Sequence, residues 1–287
     1  MLNKLAIGTA QFGLDYGISN SGGKSAQKEI NAMLDIAASK NVKTLDTAIA
    51  YGNSELSIGS SPIVHKDAFQ ITTKIANTSK EPITYLDESL KKLNVDSIYG
   101  LLAHNFELVF ENPDYYNKML LLKQNGKVSK IGISVYTPAH LEYLIDNNIE
   151  FDILQFPYSI LDQRFTPYFV ELGKLKVETH IRSVFLQGLL FMNDQEIQPF
   201  FNGVLPVLCK IREISKSIKV PISALALNFA LMNKGIEKVI VGCNNNVQLN
   251  ENLATLEYMP KVKKVYSQLA VLGIEDENIL LPYNWKI

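Results

Sequence analysis

The 287-residue chain lacks an excess of charge of either sign: 28 Lys and Arg stand against 29 Asp and Glu. A near-neutral balance excludes the basic stripe that nucleic acid or an anionic membrane would favour, so neither is expected as a partner. Cysteine is scarce. Cys209 and Cys243 form no CxxC pair and are expected as two reduced thiols rather than a disulfide framework. The histidines, His65, His104, His140 and His180, show no HxH or HExxH spacing, so no metal site is expected. Long apolar runs are missing as well. The nearly apolar stretch from Ala224 to Met232, interrupted by Asn228, falls far short of the roughly 20 residues that span a bilayer. The first residues, MLNKLAIGTAQFGLDYG, lack the apolar core and small-residue cleavage site of a signal peptide. A cytoplasmic protein is therefore expected. No low-complexity linker, charge block or clear repeat divides the chain, so residues 1–287 are read as a single domain. No sustained heptad is present, and the sequence assigns no oligomeric state.

What is present is an alternation. Hydrophobic residues make up 47% of the chain and charged residues 20%, enough apolar content for a sizeable core. Short runs rich in Ile, Leu and Val recur as strand candidates at 4–9, 42–46, 68–74, 97–104, 130–134, 151–156, 177–183 and 238–242. Such runs suit strands buried on both faces, as in a parallel sheet. Between them the apolar period becomes helical: Ile30, Met33, Leu34 and Ala37 share one face, as do Ile83, Leu86, Leu90 and Leu93. Thr137-Pro138 reads as an N-cap followed by proline at the first helical position. Pro221 separates two consecutive helices, because proline cannot continue the first. Eight strands with helical connections are the number that closes an α/β barrel, the (β/α)8 TIM barrel. The competing open doubly wound sheet would normally carry a Gly-rich phosphate turn, and neither GxGxxG nor Walker A occurs here.

In such a barrel the active site lies at the C-terminal ends of the strands. Those ends supply Asp46, Lys74 and His104, with Tyr51 just beyond the second strand. Each alone has a bland reading, as a loop cap, a solvated strand end, a rim histidine or a packing aromatic. Together they form a proton-delivery group. A phenol is a poor acid near neutral pH, a nearby ammonium favours its ionised form, and a carboxylate beside that ammonium keeps it charged and fixed. A histidine can orient a carbonyl oxygen or share in proton transfer.

These residues sit in segments that resemble the aldo-keto reductase family: LDTAIAYGNSE, ITTKI, LLAHN, KVSKIGIS, DILQFPYS and VIVGCNNNVQLNENL, covering nearly the whole chain. The resemblance implies a (β/α)8 barrel reducing an aldehyde or ketone with hydride from a nicotinamide cofactor. Asp46, Tyr51, Lys74 and His104 match the family's catalytic tetrad in type, order and approximate spacing, with Tyr51 as the proton donor.

For the cofactor, the resemblance places Gly8 and Thr9 beneath it and Ser134 and Gln155 on the nicotinamide carboxamide. Val135 stands where the family commonly has Asn. Arg182 precedes Ser183 where an aromatic often stacks on the nicotinamide; its guanidinium can stack likewise or reach an anionic group. Glu251 and Asn252 fit the adenine contacts, and Gly242, Cys243 and Asn244 would offer backbone amides to phosphate near a helix N-terminus. Gly242 and Gln248 replace the Lys and Arg with which the family commonly clamps a 2′-phosphate. NADP(H) is favoured by the resemblance, with NAD(H) admitted. Phe12, Tyr16, Asn105, Tyr158, Tyr283 and Trp285 are expected around the mouth, and Arg182, Gln187 and Asn105 hint at a polar carbonyl substrate. Two other readings stand beside this one: a nicotinamide-binding regulatory protein on the same fold, and an aldolase-type enzyme with Lys74 as a Schiff-base lysine.

Overall fold

The computed structural model describes residues 1–17, 22–64, 68–193, 197 and 199–285; His65 lies outside them. Eight parallel strands close into a barrel in chain order: β1 Leu5–Gly8, β2 Thr44–Asp46, β3 Gln70–Ile75, β4 Ile98–Ala103, β5 Val128–Ser134, β6 Ile153–Pro157, β7 Glu178–Arg182 and β8 Lys238–Gly242. All eight strand candidates are met. Pairing of β1 with β8, with Gly8 opposite Gly242, completes the closure.

Register fixes which residues face the barrel axis. Gly8 pairs with Asp46, Asp46 with Thr72, Lys74 with Leu102, Ser134 with Gln155 and Pro157 with Arg182. Because side chains alternate with period two, this set shares the inner face at the C-terminal mouth. The alternate residues, among them Ile7, Leu45, Leu101, Ile133, Leu154 and Ile181, are buried against the outer helices. Gly132 is required by this packing: a β-carbon there would lie 2.3 Å from the carbonyl oxygen of Ile153.

The helices follow the apolar faces read from the sequence, with one exception. Gln27–Ser39 buries Ile30, Met33, Leu34 and Ala37. Pro82–Leu93 buries Leu86, Leu90 and Leu93 together with Tyr85, whereas Ile83 is 38% exposed. Ile83 sits at the edge of the stripe in the first turn, and helical side chains tilt toward the N-terminus, beyond the covered surface. Pro138 opens the helix Pro138–Asp146 after Thr137, although the threonine side chain makes no capping bond. The break at Pro221 separates Leu205–Ile218 from Ile222–Met232, and Lys219 turns the chain there with φ of 53°. Residues Ala224 to Leu231 of the second of these helices are buried throughout, which accounts for the apolar run. Among the described residues no single helix is long and apolar enough to cross a membrane.

Candidate active site

A cavity of about 740 Å³ opens at the C-terminal mouth of the barrel. Its walls include Asp46, Tyr51 and His104, so β2, the turn after it and β4 converge as expected. Lys74 is fully buried beneath them. Its ammonium donates to Asp46 Oδ2 at 2.6 Å and to the Thr47 carbonyl at 2.8 Å. From the far side, Gln155 Nε2 donates to Asp46 Oδ1 at 2.7 Å. Both carboxylate oxygens are thus held by donors from β3 and β6, and the group has no freedom to rotate.

Tyr51 is set by a compact hydroxyl network below it. Thr9 Oγ1 donates to the Asp46 carbonyl, Thr47 Oγ1 donates to Ser54 Oγ, and Ser54 Oγ donates to the Thr9 carbonyl. The Tyr51 amide donates to Ala48 O and its carbonyl accepts from Ser54 N, closing a tight turn. The phenol ring meets His104 edge to face at 5.7 Å, and Lys74 Nζ lies 5.3 Å from its centroid.

The electrostatics differ from the simple expectation that Lys74 acidifies Tyr51. Burial, then the charge of Asp46, raise the phenol well above its ordinary pKa, and Arg182 opposes them. Burial is the larger cause; beside it, the 2.6 Å ion pair lets the Asp46 carboxylate offset the ammonium that would favour a phenolate. Lys74 itself is pushed down by burial, with Asp46 pulling the other way. His104 is lowered to about 3, mainly by burial and then by Lys74. At neutral pH the site therefore presents a protonated phenol and a neutral imidazole.

Most of the residues expected around a cofactor line the same cavity: Gly8, Thr9, Ser134, Gln155, Arg182, Ser183, Gly242, Asn244, Gln248, Glu251 and Asn252. Gly8 and Gly242 lie side by side and leave the floor over β1 and β8 free of side chains. A β-carbon on Gly8 would sit 3.0 Å from the Ile240 methyl, and one on Gly242 would meet Gln11 at 2.8 Å. Gln11 Oε1 and His104 Nδ1 are buried without a partner. A flat floor with unsatisfied polar atoms fits a dinucleotide.

Other expected residues stand elsewhere. Cys243 does not line the cavity; its buried thiol, pushed up to about 11, accepts from Asn252 Nδ2. Of the three amides expected to face a phosphate, at Gly242, Cys243 and Asn244, the last is engaged by a side chain. Asn244 N donates to Gln248 Oε1 at 2.8 Å, and Gln248 N donates to Asn245 Oδ1, the cap of the helix Asn246–Ala254. Tyr158 is buried and its hydroxyl accepts from Asn233 Nδ2. It lies three residues beyond Gln155, so strand alternation turns it to the opposite face. Asn105 caps the helix Phe106–Glu111 by accepting from Leu108 N, and Phe12 is fully buried. Trp285 donates to Ile279 O and packs on Phe201, while Tyr283 meets Tyr136 edge to face. Tyr16 and Gln187 do line the cavity, as expected.

Sequence reasoning missed Tyr136, Gln11 and, in the loop after β7, Val184, Phe185, Gly188 and Phe191. Tyr136 stacks beneath Arg182, whose Cζ lies 4.1 Å from the ring centroid. Position Tyr136 shares the parity of Ser134, and that alternation is the signal that could have found it. In the loop, Ser183, Leu186, Gln187 and Gly188 all have positive φ, between 43° and 100°. Such backbone costs about 1–3 kcal/mol per non-glycine residue and clusters at ligand sites.

The family model described as the aldo/keto reductase family matches residues 4–273. The chain belongs to the aldo/keto reductase family. It is 32% identical over 128 residues to the methylglyoxal reductase DkgA of Salmonella typhimurium, covering 43% of this chain and 46% of that protein. Over 208 residues it is 26% identical to the L-galactose dehydrogenase of Arabidopsis thaliana, covering 68% of this chain and 60% of that protein. The matches thus span about half of the curated relatives' length. Among solved structures, the holo form of the aldo-keto reductase AKR11C1 from Bacillus halodurans superposes with a TM-score of 0.76 at 19% identity, covering 96% of this chain and 95% of that one. That likeness is one of fold.

Proposed function

We propose that this aldo/keto reductase reduces the carbonyl of a small aldehyde or ketone to an alcohol, with Tyr51 as proton donor. The observation that carries the reading is the Tyr51–His104 pair facing the cavity above the fixed Lys74–Asp46 ion pair. A nicotinamide cofactor, bound over Gly8 and Gly242 with its carboxamide at Ser134 and Gln155, would supply the hydride. Gln155 already gives its amide NH2 to Asp46, which leaves its carbonyl oxygen for the ligand.

The protein's part is to orient the carbonyl and deliver a proton. A phenol held above its ordinary pKa stays protonated throughout the physiological range, so the donor is always charged with its proton. An alkoxide forming from the carbonyl oxygen is more basic than a phenolate and takes that proton. The phenolate left behind is stabilised by the Lys74 ammonium, which gains a second anionic neighbour at that moment. Neutral His104 donates an N–H toward the same oxygen without competing as an acid.

The resemblance favours NADP(H), but the adenosine end carries no Lys or Arg among the described cavity-lining residues and does carry Glu251. The nearby helix terminus is already capped by Asn245, and Glu29 Oε2 lies 3.4 Å from Asn246 N. A 2′-phosphate there gains no fixed cation and meets carboxylates. We therefore propose that NADH binds at least as well as NADPH.

The lowered pKa of Lys74 meets one requirement of the Schiff-base reading. However, Lys74 is fully buried, donates to two oxygens and does not line the cavity, so a substrate carbonyl has no path to its nitrogen. The regulatory-protein reading is separated by turnover. Oxidation of bound NADH or NADPH in a single turnover on adding an aldehyde, abolished in Tyr51→Phe while dinucleotide binding persists, is the expected result. Binding without any turnover would overturn the enzymatic reading.

A further inference from the structure

Arg182 has a setting that reduction of a neutral carbonyl does not explain. Its place at the C-terminal end of β7, opposite Pro157, turns it into the cavity mouth. Among the described residues lining the cavity it is the one Lys or Arg, and no carboxylate of a described residue forms an ion pair with it. Its polar partners are long: Nη1 to Ser183 Oγ at 3.5 Å and Nη2 to the Val135 carbonyl at 3.4 Å. Both are at the outer limit for a hydrogen bond, so the guanidinium keeps most of its donor capacity. Its orientation is nevertheless fixed, because one face rests on the Tyr136 ring at 4.1 Å, and Tyr136 is braced in turn by Tyr283 at 5.1 Å.

Of the two carboxylates of described residues that line the cavity, Asp46 is already matched by Lys74 and Glu251 belongs to the helix after β8. A half-buried cation, pre-oriented and without a counter-charge among the described residues, is arranged to receive an anion. A planar guanidinium matches a carboxylate in two parallel bonds and keeps its charge at every working pH. The charge also reaches the chemistry: Arg182 opposes the rise in the pKa of Tyr51 and contributes to the lowering in His104.

We propose that Arg182, held by Tyr136, is a substrate-carboxylate subsite, and that the preferred substrates are short carbonyl compounds bearing a carboxylate. The proposal rests on the carbonyl-reductase reading above and names the substrate class of the same cavity. A phosphate of the dinucleotide shares the chemistry of an anion at Arg182, and the experiment separates the two sources.

The test compares glyoxylate and 4-oxobutanoate, each against its methyl ester, in the dinucleotide-loaded protein, with dinucleotide affinity measured separately by calorimetry. The wild-type protein is expected to show kcat/KM for the acids at least about tenfold above the esters, the scale of one charge-assisted pair. In Arg182→Met the acid-to-ester ratio is expected to collapse toward one through a rise in KM for the acids, and Arg182→Lys is expected to restore part of it. Ester turnover without preference for the acids, or a preference that survives in Arg182→Met, overturns the proposal alone. A loss of dinucleotide affinity in Arg182→Met as large as the loss in acid kcat/KM assigns the anion to the cofactor and overturns it too. Turnover of neither acid nor ester overturns the reductase reading and the proposal with it.

Discussion

A β-carbon on Gly13 would lie 1.7 Å from the carbonyl oxygen of Tyr51. Gly52, next to Tyr51 with φ of 55°, faces the same contact from the other side, where a β-carbon would lie 2.6 Å from Gly13 O. The loop after β1 and the turn after β2 therefore touch backbone to backbone, and that contact sets the height of the phenol in the cavity.

Gly13→Ala should move this turn. The expected cost is about 1–3 kcal/mol of stability, as for other over-packed sites. Displacement of a catalytic group by 1 Å can cost about a hundredfold in rate, so the loss of turnover should exceed what unfolding explains. Denaturation curves and kcat on the folded fraction check both. An alanine variant with unchanged kcat would show that the contact does not position Tyr51.

Lys74→Met leaves the Asp46 carboxylate buried with Gln155 as its remaining side-chain donor. Removing one partner of a buried pair typically costs about 3–5 kcal/mol because of the uncompensated charge. Asp46→Asn in the same chain removes that charge and should recover a large part of the stability. It should recover none of the activity, since no ammonium remains to stabilise a phenolate. Urea melts of the single and double variants separate the two effects. Equal stability of both variants would mean that Asp46 is not left charged in the Lys74→Met protein.

The barrel was legible because its strands are buried on both faces, which leaves short Ile, Leu and Val runs that no amphipathic helix imitates. The convergence of Asp46, Tyr51, Lys74 and His104 was legible because strand ends meet at one mouth, so order along the chain becomes proximity in space. The failures share a cause: they depend on direction rather than position. Tyr158 and Asn105 were placed by nearness to a strand end, yet alternation turns the first away and the second caps a helix. Of the amides after β8 read as open, that of Asn244 is occupied by the Gln248 side chain of the same segment. The left-handed run at Leu186, Gln187 and Gly188 has one glycine to mark it, and nothing in the other two residues announces such backbone.

His104 gives a pH dependence whose sign is fixed. Its folded pKa is about 3, below the ordinary value of about 6.5 that an unfolded chain would show. Below about 6.5 the unfolded state binds a proton that the folded state refuses, so acidification destabilises the fold by up to about 1.4 kcal/mol per pH unit until the folded pKa is reached. Carboxylates contribute in the same range, so the comparison is with His104→Gln. The difference in stability between wild type and variant should shift against the wild type between pH 6.5 and 4 in denaturation melts. A constant difference across that window would mean the imidazole titrates alike in both states.

The proposed cofactor preference rests on residues at the far end of the cavity. Gln248 stands in the first turn of the helix after β8 and lines the cavity with Glu251. Calorimetric titration with NADH and NADPH should show NADH at least as tight. Gln248→Arg would place a cation where a 2′-phosphate needs one, and should strengthen NADPH by about tenfold relative to NADH, the scale of one charged hydrogen bond. Glu251→Gln should act in the same direction more weakly, by removing a repulsive charge rather than adding an attractive one. A wild-type protein that already prefers NADPH by tenfold or more would place the phosphate against other residues and refute this account of the helix terminus.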